Sequence, residues 1–181
     1  MAETKKISST ILGAAGEHFV IAELLRRGVI AAKAPEGAPN MDIVTTDLEG
    51  NKLLAIQVKT RRDYRGGDKG WHMKAKHEML FAKRMFYVFV NVGHLPDEPP
   101  AFYVMPSRVV ADACRISHEI WDQTPGVNGK PHNKSDMRRL LPEYKRNERM
   151  RLTSSQERFI CKHSAGWLER YSNAWYLLGL E

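Results

Sequence analysis

Eight residues, Leu-Leu-Ala-Ile-Gln-Val-Lys-Thr at 53–60, constrain this 181-residue chain more than any other stretch. They contain no glycine or proline and they alternate, which is the pattern of a β-strand. Side chains along a strand change face at every residue. Leu54, Ile56 and Val58 therefore share one face, and Gln57 and Lys59 share the other with Leu53 and Ala55. If helices cover the sheet, that second face is at least half buried. A glutamine and a lysine side by side on it then need partners, because an unpaired buried polar group costs about 1–3 kcal/mol and a charge costs more. Asp42, on the preceding strand across a turn at 47–51, is placed to project to the same spot.

The rest of the chain supplies the layers. Ser8, Ser9 or Thr10 can cap a helix whose apolar residues Leu12, Ala15, Phe19, Ala22 and Leu25 keep a helical period, and Gly28 is placed to end it. The expected elements are a helix over 10–27, strands over 29–34, 41–46 and 53–60, a weakly periodic helix over 74–84, and aromatic-rich strands over 86–92 and 101–105. A helix opened by Pro106 and Ser107 follows to about 114. Pro125, Gly126, Asn128, Gly129, Pro131 and Asn133 make 121–134 a long loop, and a helix is expected over 154–171. Trp167, Tyr171, Trp175 and Leu178, spaced by about four, read as an apolar face docked on the domain. This order gives an α/β (α+β) class, a mixed central sheet flanked by helices, in a single domain over 1–181.

Composition excludes several alternatives. With 43% apolar and 27% charged residues the chain is neither disordered nor fibrous. No apolar run approaches the ~18–20 residues that a bilayer requires, and the start is polar, so a soluble, cytoplasmic protein without membrane partners is expected. Cys114 and Cys161 lack a Cys-x-x-Cys partner and read as packing thiols. The seven histidines show no metal-ligand spacing.

The positive charge is concentrated. Residues 59–76 hold 7 basic and 2 acidic side chains and residues 130–151 hold 8 and 3, so these windows carry +10 while the remainder is −3. Such a distribution suits a polyanion, nucleic acid before all others, because each neutralised phosphate releases counterions. Arg61, Arg62, Arg65, Lys69, Lys74 and Lys76 in the first window and Lys134, Arg138 and Arg139 in the second are the expected backbone-binding residues. Tyr64 and Trp71, inside the first window, could stack on bases or simply pack.

Glu17 is a second misplaced polar residue: Ile21 and Leu24, four and seven residues on, put it on an otherwise apolar helix face. It sits either at the edge of that face or inward, aimed at the sheet. Glu17 on the helix, Asp42 on one strand and Gln57-Val58-Lys59 on the next together resemble the PD-(D/E)xK nuclease superfamily, most closely its Holliday-junction-resolvase-like branch in a Gln-x-Lys variant. The similar stretches are Gly16-Glu17, Leu24-Leu25, Gly28, Asn40-Met41-Asp42-Ile43-Val44 and Ala55-Ile56-Gln57-Val58-Lys59-Thr60. Met41 stands where the family usually has proline. The resemblance covers about 10–105, and nothing over 112–181 takes part in it.

The resemblance implies an αβββαβ restriction-endonuclease-like core over about 10–116, followed by a loop-rich basic extension and C-terminal helix over 117–181. It implies phosphodiester hydrolysis with Mg²⁺ or Mn²⁺, on DNA more than RNA; a homodimer is left open, the sequence being silent on dimerisation. In that scheme Glu17, Asp42, Gln57 and Lys59 are catalytic. Asp42 is the main metal ligand, beside the Gln57 side-chain oxygen, the Val58 carbonyl and Glu17, and Lys59 orients or activates the attacking water. Gln57 replaces the family's more common Glu or Asp, which removes a negative charge and should weaken metal affinity. Two other functions fit the same residues: a nucleic-acid-binding module that keeps the fold without useful catalysis, and a protein-interaction domain whose basic loops meet an acidic partner. Convergence of Glu17, Asp42, Gln57 and Lys59 with room for a cation separates the nuclease from the binding module, and salt-sensitive DNA binding without sequence preference counts against the protein-interaction domain.

Overall fold

The computed structural model describes residues 7–62 and 69–180. Ser8 caps the first helix, α1 (Ser9–Leu25), by accepting from the Ile11 amide at 3.3 Å, and Gly28, at φ +76°, turns the chain out of it in a left-handed conformation. Strands β1 (Ile30–Lys33), β2 (Ile43–Thr46) and β3 (Leu53–Arg61) follow as an antiparallel meander. In the turn between β2 and β3, Asp47 Oδ1 accepts from the Asn51 and Lys52 amides at 2.7 and 3.1 Å. Next come β4 (Trp71–Lys74), β5 (Met85–Asn91), β6 (Ala101–Pro106), α2 (Ser107–Gln123), β7 (Met137–Leu140) and α3 (Ser154–Lys162). The main sheet has the order β1-β2-β3-β5-β6 and is antiparallel except where β3 meets β5; β4 and β7 form a separate antiparallel ribbon.

The class expected from the sequence is the one observed, with three local differences. The 74–84 helix is absent: β4 runs into a short 3₁₀ turn, Ala75–Glu78. Trp71 and Met73 alternate inward against His72 and Lys74, a period of two that the weak helical pattern further on concealed. The β3–β5 crossover therefore contains half of a ribbon. Helix α2 continues to Gln123, because Val110, Ala113, Cys114 and Ile120 sustain a buried stripe, and it stops at Thr124 before Pro125. Helix α3 ends at Lys162, and the chain resumes as a 3₁₀ turn at Glu169–Tyr171 after Gly166, at φ +82°.

Each face of the sheet carries its own core. Ile56, Val58, Val88 and Val104 pack with Val20 and Leu24 of α1 and with Trp175 and Leu178. Tyr87, Phe89 and Met105, on the other face, pack with Trp71, Met73, Leu140, α2 residues Val110 and Cys114, and Phe159 and Trp167. The expected tail stripe is thus core, but it divides: Trp167 serves one face and Trp175 the other.

Candidate active site at the end of β2

Strand β2 begins only at Ile43, so β3 loses its antiparallel neighbour beyond Ile56. Asp42 occupies that position. Its amide donates to the Ile56 carbonyl and its carbonyl accepts from the Ala34 amide, both at 2.8 Å, which fixes the backbone from two sides. Its side chain then does what the missing strand would have done: Oδ2 accepts from the Val58 amide at 2.6 Å and from Gln57 Nε2. The strand's alternation places the Val58 carbonyl on this same side of β3, past the end of β2. Burial holds the Asp42 carboxyl above the usual carboxylate range; the Val58 amide, Lys59 and Gln57 oppose that rise, and the nearby Glu17 charge adds to it.

Gln57 is buried and Lys59 half-buried, both on the face opposite α1. Burial lowers the Lys59 ammonium's pKa, Lys76 and Lys74 lower it further, and Asp42 pulls it back up. Glu17 arrives from the α1 face. Gly16 makes that approach: a Cβ there would lie 1.8 Å from Thr60 Oγ1, so only glycine lets α1 settle this close to β3. Glu17, half-buried, accepts from Lys33 Nζ of β1 at 2.8 Å. Glu17 and Lys59 therefore come from opposite faces, and the charge of each acts on Asp42 where no strand separates them. Lys33 escaped sequence reasoning, although the β1–β2 register sets it opposite Ile43, one residue from Asp42.

The donor chemistry suits a hard divalent cation. Asp42 and Glu17 supply carboxylates, the Glu17 charge lying close enough to raise the cost of ionising Asp42, and the Val58 carbonyl adds a neutral oxygen. Gln57 turns its amide nitrogen to Asp42, so it offers an oxygen ligand only with the amide rotated. No cluster of three or more His, Cys, Asp or Glu side chains with metal-binding geometry occurs among the described residues.

Pairing of β4 with β7 joins the two basic windows. His72 lies opposite Arg139 and Lys74 opposite Met137, all on the exposed face of the ribbon, while Trp71, Met73, Arg138 and Leu140 face inward. Beside it a cavity of about 540 Å³ is lined by Lys59, His72, Lys74, Lys76, His77 and Asp136 among others. Lys69 and Lys134 are also exposed, and Lys76 donates to Asn40 Oδ1 at 3.0 Å.

Burial removes two arginines from the expected phosphate-binding set. Arg62, 7% exposed, donates through Nε and Nη2 to the His94 carbonyl at 3.1 and 2.5 Å. Arg138 pairs with Glu78 and donates to the Ser135 and Met137 carbonyls at 2.7 and 3.0 Å. Arg61 lies half-buried with its guanidinium 4.2 Å from the centre of the Trp71 ring. Trp71, 1% exposed, donates its indole N–H to the Val90 carbonyl at 3.0 Å, so it is a core residue and not a stacking platform. Arg65 and Tyr64 lie outside the described residues. Behind the cavity His77 and Tyr87 share a 2.8 Å hydrogen bond; burial and the Lys59 charge hold the imidazole down at about 4, and burial pushes the phenol up.

No family model and no curated protein matches this chain. Among solved structures it is similar to a bacterial homing endonuclease, I-Ssp6803I, at 18% identity over 96% of this chain and 94% of that one, with a TM-score of 0.49. It is also similar to Hjc, a Holliday junction resolvase from the archaeal hyperthermophile Archaeoglobus fulgidus, at 16% identity over 71% of this chain and 82% of that one, with a TM-score of 0.40. The solved structures it resembles thus include an endonuclease and a junction resolvase.

Proposed function

We propose that this protein is a metal-dependent nuclease that hydrolyses phosphodiester bonds of DNA at the end of β2. One observation carries the reading: Asp42, Gln57 and the Val58 amide are hydrogen-bonded together at a break in the sheet, with the Glu17 and Lys59 charges both acting on Asp42. Asp42, Glu17, the Val58 carbonyl and a rotated Gln57 amide would hold Mg²⁺ or Mn²⁺, which supplies Lewis-acid stabilisation of charge developing on the phosphate oxygens. Lys59 lines the cavity, where its amine would orient the attacking water and meet negative charge as it forms. Lys74, Lys76 and Arg139 hold the backbone beside it. DNA as the substrate follows from the motif resemblance.

A plasmid-cleavage assay with Mg²⁺ or Mn²⁺ tests this reading. Wild type should nick or linearise DNA, and Asp42→Asn and Lys59→Ala should not. The second reading, a binding module without catalysis, is favoured by Gln57 donating to Asp42 and by Glu17 being occupied with Lys33. Salt-sensitive DNA binding with no cleavage in either metal would establish it in place of the nuclease.

A further inference from the structure

A second cavity, of about 480 Å³, lies on the other side of β7, between the C-terminal end of α2, the loop that follows it and residues 141–150. Its size is that of a small-ligand site. Met137 lines both this cavity and the one containing Lys59, so the two share a wall. His118 and Trp121, three residues apart on α2, begin a ladder of rings: their centroids are 5.2 Å apart at 25°, and His132, folding back from the loop, stacks on Trp121 at 4.0 Å and 17°. Trp121 is still 38% exposed. Arg139, Lys145 and Arg149 line the cavity and are exposed, Arg149 donating to the Pro125 carbonyl at 3.3 Å, and among the described residues the lining includes no Asp or Glu. Planar rings in a stack beside exposed cations that outnumber the carboxylate paired with them, Glu143 on Lys145 at 3.0 Å, suit a ligand that is flat, aromatic and anionic.

We propose that this cavity takes one unpaired nucleotide of the DNA held at the Lys59 cleft, its base continuing the His118–Trp121–His132 ladder and its phosphate meeting Arg139, Lys145 and Arg149. The inference rests on DNA being the partner, as in the reading above. A base within a duplex is covered on both faces by its neighbours, whereas an unpaired base has a face to offer and stacks on aromatic side chains irrespective of sequence. The Lys59 cavity and the ring ladder thus divide the work, one holding backbone and the other sensing a defect in pairing.

Fluorescence anisotropy in EDTA reads binding without cleavage. The probes are a fully paired duplex and the same duplex with one extrahelical adenosine, with free dAMP as competitor. Wild type should prefer the extrahelical duplex by about tenfold or more. Trp121→Ala should abolish that preference, and Trp121→Phe, which keeps an aromatic face, should retain most of it; His132→Ala removes the last ring alone and should reduce it. Equal binding of both duplexes by wild type, or equal loss on both in Trp121→Ala with Trp121→Phe behaving the same way, overturns the proposal. So does competition by dAMP at concentrations comparable to the oligonucleotide's, which would assign the cavity to free nucleotides. Asp42→Ala separates the two readings: it should lose cleavage and keep the preference. A wild type that prefers the extrahelical base yet never cleaves sinks the nuclease alone, and one that cleaves without preference sinks only the ladder.

Discussion

Replacing Gly16 by alanine tests how α1 is seated and, through it, how Glu17 reaches the site. In an exposed helix interior the substitution would stabilise by about 1 kcal/mol, since alanine is the better helix former. Here the new Cβ would lie 1.8 Å from Thr60 Oγ1 and 2.9 Å from both Thr60 Cβ and Cγ2. Turning the threonine about χ1 moves Oγ1 and Cγ2 but leaves Cβ where it is, so the helix itself must retreat. Overpacking of this kind costs about 1–3 kcal/mol, which offsets the propensity gain and leaves a net loss of about 1 kcal/mol. Urea denaturation should show that loss, and thermal denaturation a Tm lower by about 2–4 °C. Thr60→Ala removes Oγ1 and Cγ2 and should recover part of it, with a coupling of about 1 kcal/mol in the double-mutant cycle. Thr60 Oγ1 is buried without a hydrogen-bond partner, so its removal leaves no orphaned group behind. A Gly16→Ala protein more stable than wild type, or additive with Thr60→Ala, would refute the close approach.

Gln57→Glu adds an anionic oxygen and should tighten Mn²⁺ binding in calorimetry, Asp42→Ala should abolish it, and Lys59→Ala should leave it intact or improve it while removing cleavage; metal binding that survives in Asp42→Ala contradicts the ligand set. Alanine at Lys74 and Arg139 should each flatten the slope of log K against log[salt] for DNA by about one unit. Arg138→Ala should act on folding instead, through loss of its Glu78 pair, at about 3 kcal/mol; an unchanged urea midpoint would return Arg138 to the DNA-binding set. His77 is held at about 4 against an ordinary 6.5, so the unfolded chain takes up its proton first. Stability from this group is complete above pH 6.5 and falls as pH drops towards 4, by about 3 kcal/mol; His77→Gln lacks that component, so the wild-type minus mutant stability difference should fall by that amount over the same pH range.

The parts of the fold that were legible in the sequence are those with short-range causes. Asp42, Gln57 and Val58 meet because two adjacent strands and one turn set their register, and period-two alternation assigns Lys59 its face. Glu17 was visible as a carboxylate on an apolar helix face, but its Lys33 partner depends on β1 lying beside the helix. The two buried arginines show the opposite case. Arg138 sits between exposed neighbours, Met137 and Arg139, in a segment that looks like a basic loop until β4, more than sixty residues earlier, makes it a strand. Nothing local distinguishes an arginine that faces phosphate from one that faces Glu78. Aromatic stacking was sought near Trp71 because charge surrounds it in sequence, whereas the ring ladder assembles from a helix and a loop that only tertiary folding brings together.

The β4–β7 ribbon also imposes an order of events on folding. All five strands of the main sheet lie before residue 107, and their neighbours are close in sequence, so they close small loops and can pair early. β4 lies within that stretch, but among the described residues the strand it pairs with, β7, follows α2. As the chain emerges from synthesis, the inward face of Trp71 and Met73 has no cover from Leu140 until β7 is made. The ribbon wall is consequently built after the five-stranded sheet, and a chain halted before residue 137 presents the Asp42 carboxylate beside an open strand edge instead of a cleft.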